Sequence, residues 1–156
     1  MAELTNALAQ EAVELFKNGL YCSEAILKVF NDRLKLGLNE TAIKMATGFG
    51  AGLGASKCCC GSITGAVMVL SAIKGRTSTS EAVDEVFALT AYIHDEFKKR
   101  FKASCCRVLT KNVEWGSPQH HIECEKYVYG AVEILLEALE KAETNSPANQ
   151  PESKKL

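Results

Sequence analysis

A chain of 156 residues, 47% hydrophobic and 24% charged, is long enough for one domain with a proper core and has the balance of an ordinary globular protein. A formal net charge of −1 argues against a general nucleic-acid surface, and no stretch approaches the roughly 20 apolar residues of a membrane span. The opening MAELTNALAQEAVELF lacks a basic start followed by an apolar run, so it reads as helix and not as signal peptide, and the expected location is cytoplasmic.

Apolar residues recur at helical spacing almost throughout, and no segment alternates as a half-buried strand would. The first helix is expected from about Leu4 to Lys17, with Leu4, Leu8, Ala12 and Leu15 as one stripe, Phe16 beside it, and Asn18–Gly19 as the stop. A second begins near Cys22 or Ser23, with Ala25, Ile26, Val29, Phe30 and Leu34 on its core face. Asn39 can cap a third, short helix that ends at Gly48. GFGAGLG, residues 48–54, then reads as a mobile or tightly turned loop.

SITGAVMVLSAI follows, apolar or small almost all round, and is expected as the central, buried helix. A fifth helix opens after Ser78, Thr79 and Ser80, where Ser78 and Glu81 have capping-box spacing. It runs to about Lys102, with Val83, Val86, Phe87, Ile93 and Phe97 as core candidates. The basic run Lys98, Lys99, Arg100 and Lys102 near its end reads as a solvated helix terminus. Cys105 and Cys106 lead into an irregular stretch through Trp115 and Pro118, with Trp115 as an anchor for that loop. A last helix is expected from about Gln119 to Ala142. The polar remainder, residues 143–156, is expected to be a disordered tail. The fold class is all-α: a single-domain bundle of about five to six helices spanning residues 1–142, with a glycine-rich loop.

Seven cysteines are a surplus for a cytoplasmic chain, where stable disulfides are uncommon. They fall into four groups: Cys22; Cys58, Cys59 and Cys60; Cys105 and Cys106; and Cys124. Each lies near a predicted helix end, and helix ends can meet at one pole of a bundle. Helix N-termini favour thiolate through free N–H groups and the macrodipole. Gly50, Gly52 and Gly54 in the loop, and Gly61 at the start of the central helix, would let backbone N–H groups approach an anionic centre without Cβ clashes. Gly61 and Gly65, one turn apart, would admit another helix or a cofactor. No local CxxC pair is present, so a zinc ribbon or bacterial ferredoxin pattern is absent, as is the CxxCH of covalent haem.

These residues carry a resemblance. The chain resembles the bacterial redox-active family named for the pattern C_GCAxxG_C_C, over roughly residues 15–140. Cys22 in YCSEAIL matches the first cysteine, and GFGAGLG the glycine-rich stretch. Cys60-Gly61-Ser62-Ile63-Thr64-Gly65 matches the CGAxxG portion, with Ser62 in the alanine position. Cys106 in CCRVL and Cys124 match the third and fourth cysteines. The chain is also similar to the four-cysteine helical domain of split-Soret cytochromes c, which is associated with an iron–sulfur centre. The resemblance implies that Cys22, Cys60, Cys106 and Cys124 are metal ligands, that the cofactor is an iron–sulfur cluster of [2Fe–2S] type, and that Cys58, Cys59 and Cys105 are extras.

Two other chemistries remain open. Cys60 could act as a reactive thiolate in a thiol–disulfide protein with a neighbouring group to resolve it, or the cysteines could hold a structural zinc ion. His120 and His121, four and three residues before Cys124, share its helix face; they are ligand candidates or simply a polar pair at a helix start. His94, beside Asp95 and Glu96, is expected in solvent. The glycine loop follows a helix and not a strand, so a dinucleotide site is discounted. The expected partners are a redox partner protein, with no nucleic acid or membrane, and a homodimer is plausible through the apolar, glycine-containing helix.

Overall fold

The computed structural model describes residues 1–144, and the expected tail lies outside the described residues except for its first two positions. Among the described residues there are seven right-handed α-helices and no strand: α1 (Ala2–Lys17), α2 (Cys22–Leu34), α3 (Glu40–Lys44), α4 (Gly61–Lys74), α5 (Asp84–Phe101), α6 (Cys106–Leu109) and α7 (Pro118–Thr144). The expected bundle is thus all-α, with one short helix more than anticipated because CRVL closes a single turn. A 3₁₀ turn, Thr47–Phe49, precedes the glycine loop.

Amphipathic stripes decide the packing. α1 lies along α7, α2 along α4, and α4 also touches α5 and α7, which makes it the central helix. Phe30, Ile26, Leu27, Leu70, Ile93, Phe97, Ile134 and Leu135 are fully buried, each such side chain stabilising the fold by about 1.5–3 kcal/mol. Two of the expected stripes are shifted. On α1 the buried residues are Leu8, Ala9, Ala12 and Phe16, while Leu4 is exposed in the first turn. On α5 they are Leu89, Ile93 and Phe97, at steps of four, whereas Phe87 is 67% exposed. Phe87 shares its face with Thr90, Ala91, His94 and Asp95, which form one wall of an open apolar groove instead of the core. Leu34, at the end of α2, is also exposed.

The expected cap of α5 holds only in part. Glu81 Oε2 accepts from the N–H groups of Thr77 and Ser78 at 3.0 and 2.9 Å, but this closes a turn and the helix begins at Asp84. The basic end of α5 is not merely solvated either: Arg100 donates to both carboxylate oxygens of Glu137, at 2.8 and 2.6 Å, and to Glu96 at 3.0 Å, tying α5 to α7.

Gly61 and Gly65 do admit another helix, and it is α2 of the same chain. A Cβ at Gly65 would lie 2.9 Å from Ser23 Cα, and one at Gly61 would collide with Cys22 Sγ. The first turns of α2 and α4 therefore touch backbone to backbone, and this contact places Cys22 beside Cys60.

Candidate metal centre

Four elements deliver one cysteine each to the same place. Cys22 opens α2, Cys60 precedes the first residue of α4, Cys106 opens α6, and Cys124 lies in the second turn of α7. All four line a single narrow cavity of about 50 Å³, room for a few atoms. Cys22, Cys60 and Cys106 are buried and Cys124 is half-buried. Cys58 is exposed, and Cys59 and Cys105 are half-buried and outside the cavity. The seven cysteines are all free thiols.

The glycine loop reaches this cavity by an unusual backbone. Ala51, Gly52, Leu53, Gly54 and Ala55 all have positive φ, between 53° and 67°. Gly54 N–H donates to Gly50 O at 2.9 Å, so the segment closes one left-handed turn. An L-residue there costs about 1–2 kcal/mol, and strain of that kind collects at functional sites. The turn aims the Ala51 N–H at Cys22 Sγ, where it favours the thiolate together with the N–H groups of Ser23 and Cys22 itself.

Of the glycines expected to approach a cofactor, none lines the cavity. Gly52 sits behind Cys106, since a Cβ there would meet Cys58 N at 2.6 Å and Cys106 Sγ at 3.0 Å. Gly61 makes room for Cys22, Gly50 for the Tyr21 side chain, and Gly54 faces open space.

Burial dominates the electrostatics. Cys22 is pushed from the ordinary value near 9 up to about 12 by loss of solvent, and the Cys60 sulfur adds to the rise. Cys124 is likewise pushed up to about 12, by burial first and then by Cys60 and Cys22. Cys60 is held well above 9 because it shares a hydrogen bond with Cys106 and is buried. The Ser62 N–H and hydroxyl oppose that rise. Ser62 Oγ is buried and makes no hydrogen bond in this arrangement, yet it lies close enough to Cys60 to favour that thiolate. The donors around Cys22 thus oppose the burial penalty without overcoming it, and the net cost of the thiolate is on the order of 4 kcal/mol.

The aromatic wall was only partly legible in the sequence. His120 and His121 both line the cavity. His120 Nδ1 accepts from Gly116 N–H at 3.0 Å, its ring lies 4.3 Å from that of Trp115, and burial lowers its pKa. Trp115 does anchor its loop, with Lys57 Nζ 4.5 Å above its ring. Tyr127, unmarked by any motif, also lines the cavity and donates to Leu109 O at 2.9 Å. Its signal was positional: it lies three residues after Cys124 on the same helix. His94 is half-buried, with Nδ1 2.8 Å from Asp95 Oδ1, and lies on the groove.

As the side chains stand, no three His, Cys, Asp or Glu among the described residues converge tightly enough to hold one metal ion. The four thiols surround a space and do not close on a point. Among the described residues no helix is long and apolar enough to cross a membrane.

The family profile described as "Putative redox-active protein (C_GCAxxG_C_C)" matches residues 20–138. The chain is also 25% identical over 143 residues to an "Uncharacterized protein" of Archaeoglobus fulgidus, an alignment covering 86% of this chain and 95% of that protein. No solved structure matches the chain.

Proposed function

Because the chain belongs to the C_GCAxxG_C_C family of redox-active proteins, we propose that Cys22, Cys60, Cys106 and Cys124 hold an iron–sulfur cluster of [2Fe–2S] type, for electron transfer or redox sensing. The observation that carries this reading is the meeting of four cysteines, from four separate segments, around one cavity of about 50 Å³. Soft thiolates are the donors such a centre takes. A cluster held there would supply a one-electron couple.

The chain's own groups suit that task. The N–H groups of Ala51, Ser23 and Ser62, with the Ser62 hydroxyl, are aimed at sulfur, where such bonds stabilise negative charge. Burial keeps the Cys22, Cys60 and Cys124 thiols neutral until a cationic centre displaces their protons. Zinc is the weaker alternative, since one ion needs four sulfurs at about 2.3 Å from a single point and the donors here are spread around a space. A reactive Cys60 thiolate is weaker too: a thiol held well above 9 in a buried position is mostly protonated near neutral pH. The reading carries with it a reducing, cytoplasmic setting and a redox partner protein that gives or takes the electrons.

The test is anaerobic reconstitution with iron and sulfide, read by visible absorption and by iron and sulfide content. Cys22→Ser, Cys60→Ser, Cys106→Ser and Cys124→Ser should each lose or alter the chromophore. Cys58→Ser, Cys59→Ser and Cys105→Ser should leave it nearly unchanged. A reconstituted wild type that binds neither iron nor sulfide sinks the proposal, and stoichiometric zinc in a colourless protein would replace it.

A further inference from the structure

Cys58, Cys59 and Cys105 stand outside the cavity, but two of them stand opposite each other. Residues 57–60 and 104–107 run antiparallel. Cys60 N–H donates to Ser104 O at 2.8 Å, Cys106 N–H to Cys58 O at 2.6 Å, and Arg107 N–H to Lys57 O at 3.0 Å. These bonds flank a single bridged pair, Cys59 and Cys105. Neither residue of that pair bonds the other's backbone, so it occupies a non-hydrogen-bonded position. At such a position the Cα atoms come to about 4.5 Å and the two side chains share one face. Disulfides span Cα separations of about 4.4–6.8 Å.

We propose that Cys59 and Cys105 form a reversible cross-strand disulfide, a second redox site beside the four-cysteine cavity and distinct from it. Both are free, half-buried thiols. Cys59 also lines the open apolar groove between α2, α4 and α5, so a small reagent can reach it. Cys105 Sγ is held on the same strip, donating to Lys57 O at 3.1 Å. The oxidant is a small disulfide such as glutathione disulfide. The Cys59 thiolate attacks one of its sulfurs, the S–S bond breaks, and one thiolate leaves. The Cys105 thiolate then attacks the Cys59 sulfur, forming the protein disulfide and expelling the second thiolate. Two electrons pass from the protein thiols to the small disulfide, and the two protons they lose are taken up by the leaving thiolates. The bond would staple the segment carrying Cys60 to the one carrying Cys106, and so stiffen one wall of the cavity. The inference does not depend on what that cavity holds.

The full-length reduced protein is titrated with glutathione disulfide, quenched by alkylation, and mapped by peptide fragmentation. The expected product has lost two thiols, retains no glutathione, and is linked Cys59 to Cys105. Cys58→Ser and the Cys60→Ser/Cys106→Ser double variant should give the same link. Cys59→Ser and Cys105→Ser should each lose the two-thiol product while keeping the helical circular dichroism of the wild type. A wild type that stays reduced, or one linked Cys60–Cys106 or Cys58–Cys106, overturns the proposal. The wild-type fragment map decides this even if the double variant does not fold. Because the readout is a disulfide map and not a chromophore, its failure leaves the cluster reading standing, and the converse holds.

Discussion

Cys60 is the residue on which the site turns, because its sulfur is felt by Cys22 and Cys124 and shares a hydrogen bond with Cys106. The resemblance picks Cys60 out of three adjacent cysteines, and the structure gives a physical reason for the difference: Cys60 is buried in the cavity while Cys58 is exposed. The raised pKa values have a measurable cost. In the metal-free protein Cys22 and Cys124 stay protonated until about pH 12, whereas in the unfolded chain the same thiols ionise near their ordinary value. Their contribution to stability is therefore complete below about pH 9 and is lost as pH rises from there towards 12. We expect the thermal midpoint of metal-free protein to fall across that range, and Cys124→Ala to flatten the fall. A midpoint with the same alkaline slope in that variant would show that the slope comes from other groups.

At the scale of elements, the contact between the first turns of α2 and α4 decides whether the cavity exists. Gly65→Ala puts a Cβ against Ser23 backbone atoms at 2.9 and 3.0 Å, which side-chain rotation cannot relieve. It should cost about 1–3 kcal/mol, as overpacking does. Gly48→Ala, with nothing within 4 Å and no positive φ, should be near neutral. Urea midpoints of the two variants make the comparison, and equal midpoints would remove the argument. The helices themselves were largely readable from sequence, since α1, α2, α5 and α7 each carry an apolar period over three turns or more and α4 is an apolar run of helical length. The strip that joins Cys58–Cys60 to Ser104–Cys106 was not. It rests on one bridged pair between segments more than forty residues apart, too short to show alternation. That the four cysteine groups could meet was legible from their places near helix ends, but which cysteine of each group enters the cavity was legible only as a resemblance, because no local spacing encodes it.

At the scale of the whole molecule, one flank is uncovered among the described residues. α4 was expected to be buried all round, yet Thr64, Val67, Met68 and Ala72 face the groove that Met45 and Phe87 border, 64% and 67% exposed. α2 already occupies Gly61 and Gly65, so the expected homodimer has no surface at those glycines. We propose that a second copy covers this flank. Sedimentation at micromolar concentration should then give a dimer for wild type and a monomer for Phe87→Asp, with the α-helical spectrum unchanged. A monomeric wild type ends that proposal.

The turn from Ala51 to Ala55 also has a consequence in terms of handedness. It is a stretch of mirror-image backbone inside a right-handed protein, and each alanine in it pays for its own chirality. Chemical synthesis can reverse that chirality one centre at a time. D-alanine at 51 or 55 should recover about 1 kcal/mol or more per position, since it removes the αL penalty without adding the unfolded-chain freedom that glycine would. The same exchange at Ala66, buried in right-handed α4, should cost at least as much. Unfolding midpoints that fall for all three would mean that the 51–55 turn is not left-handed in solution.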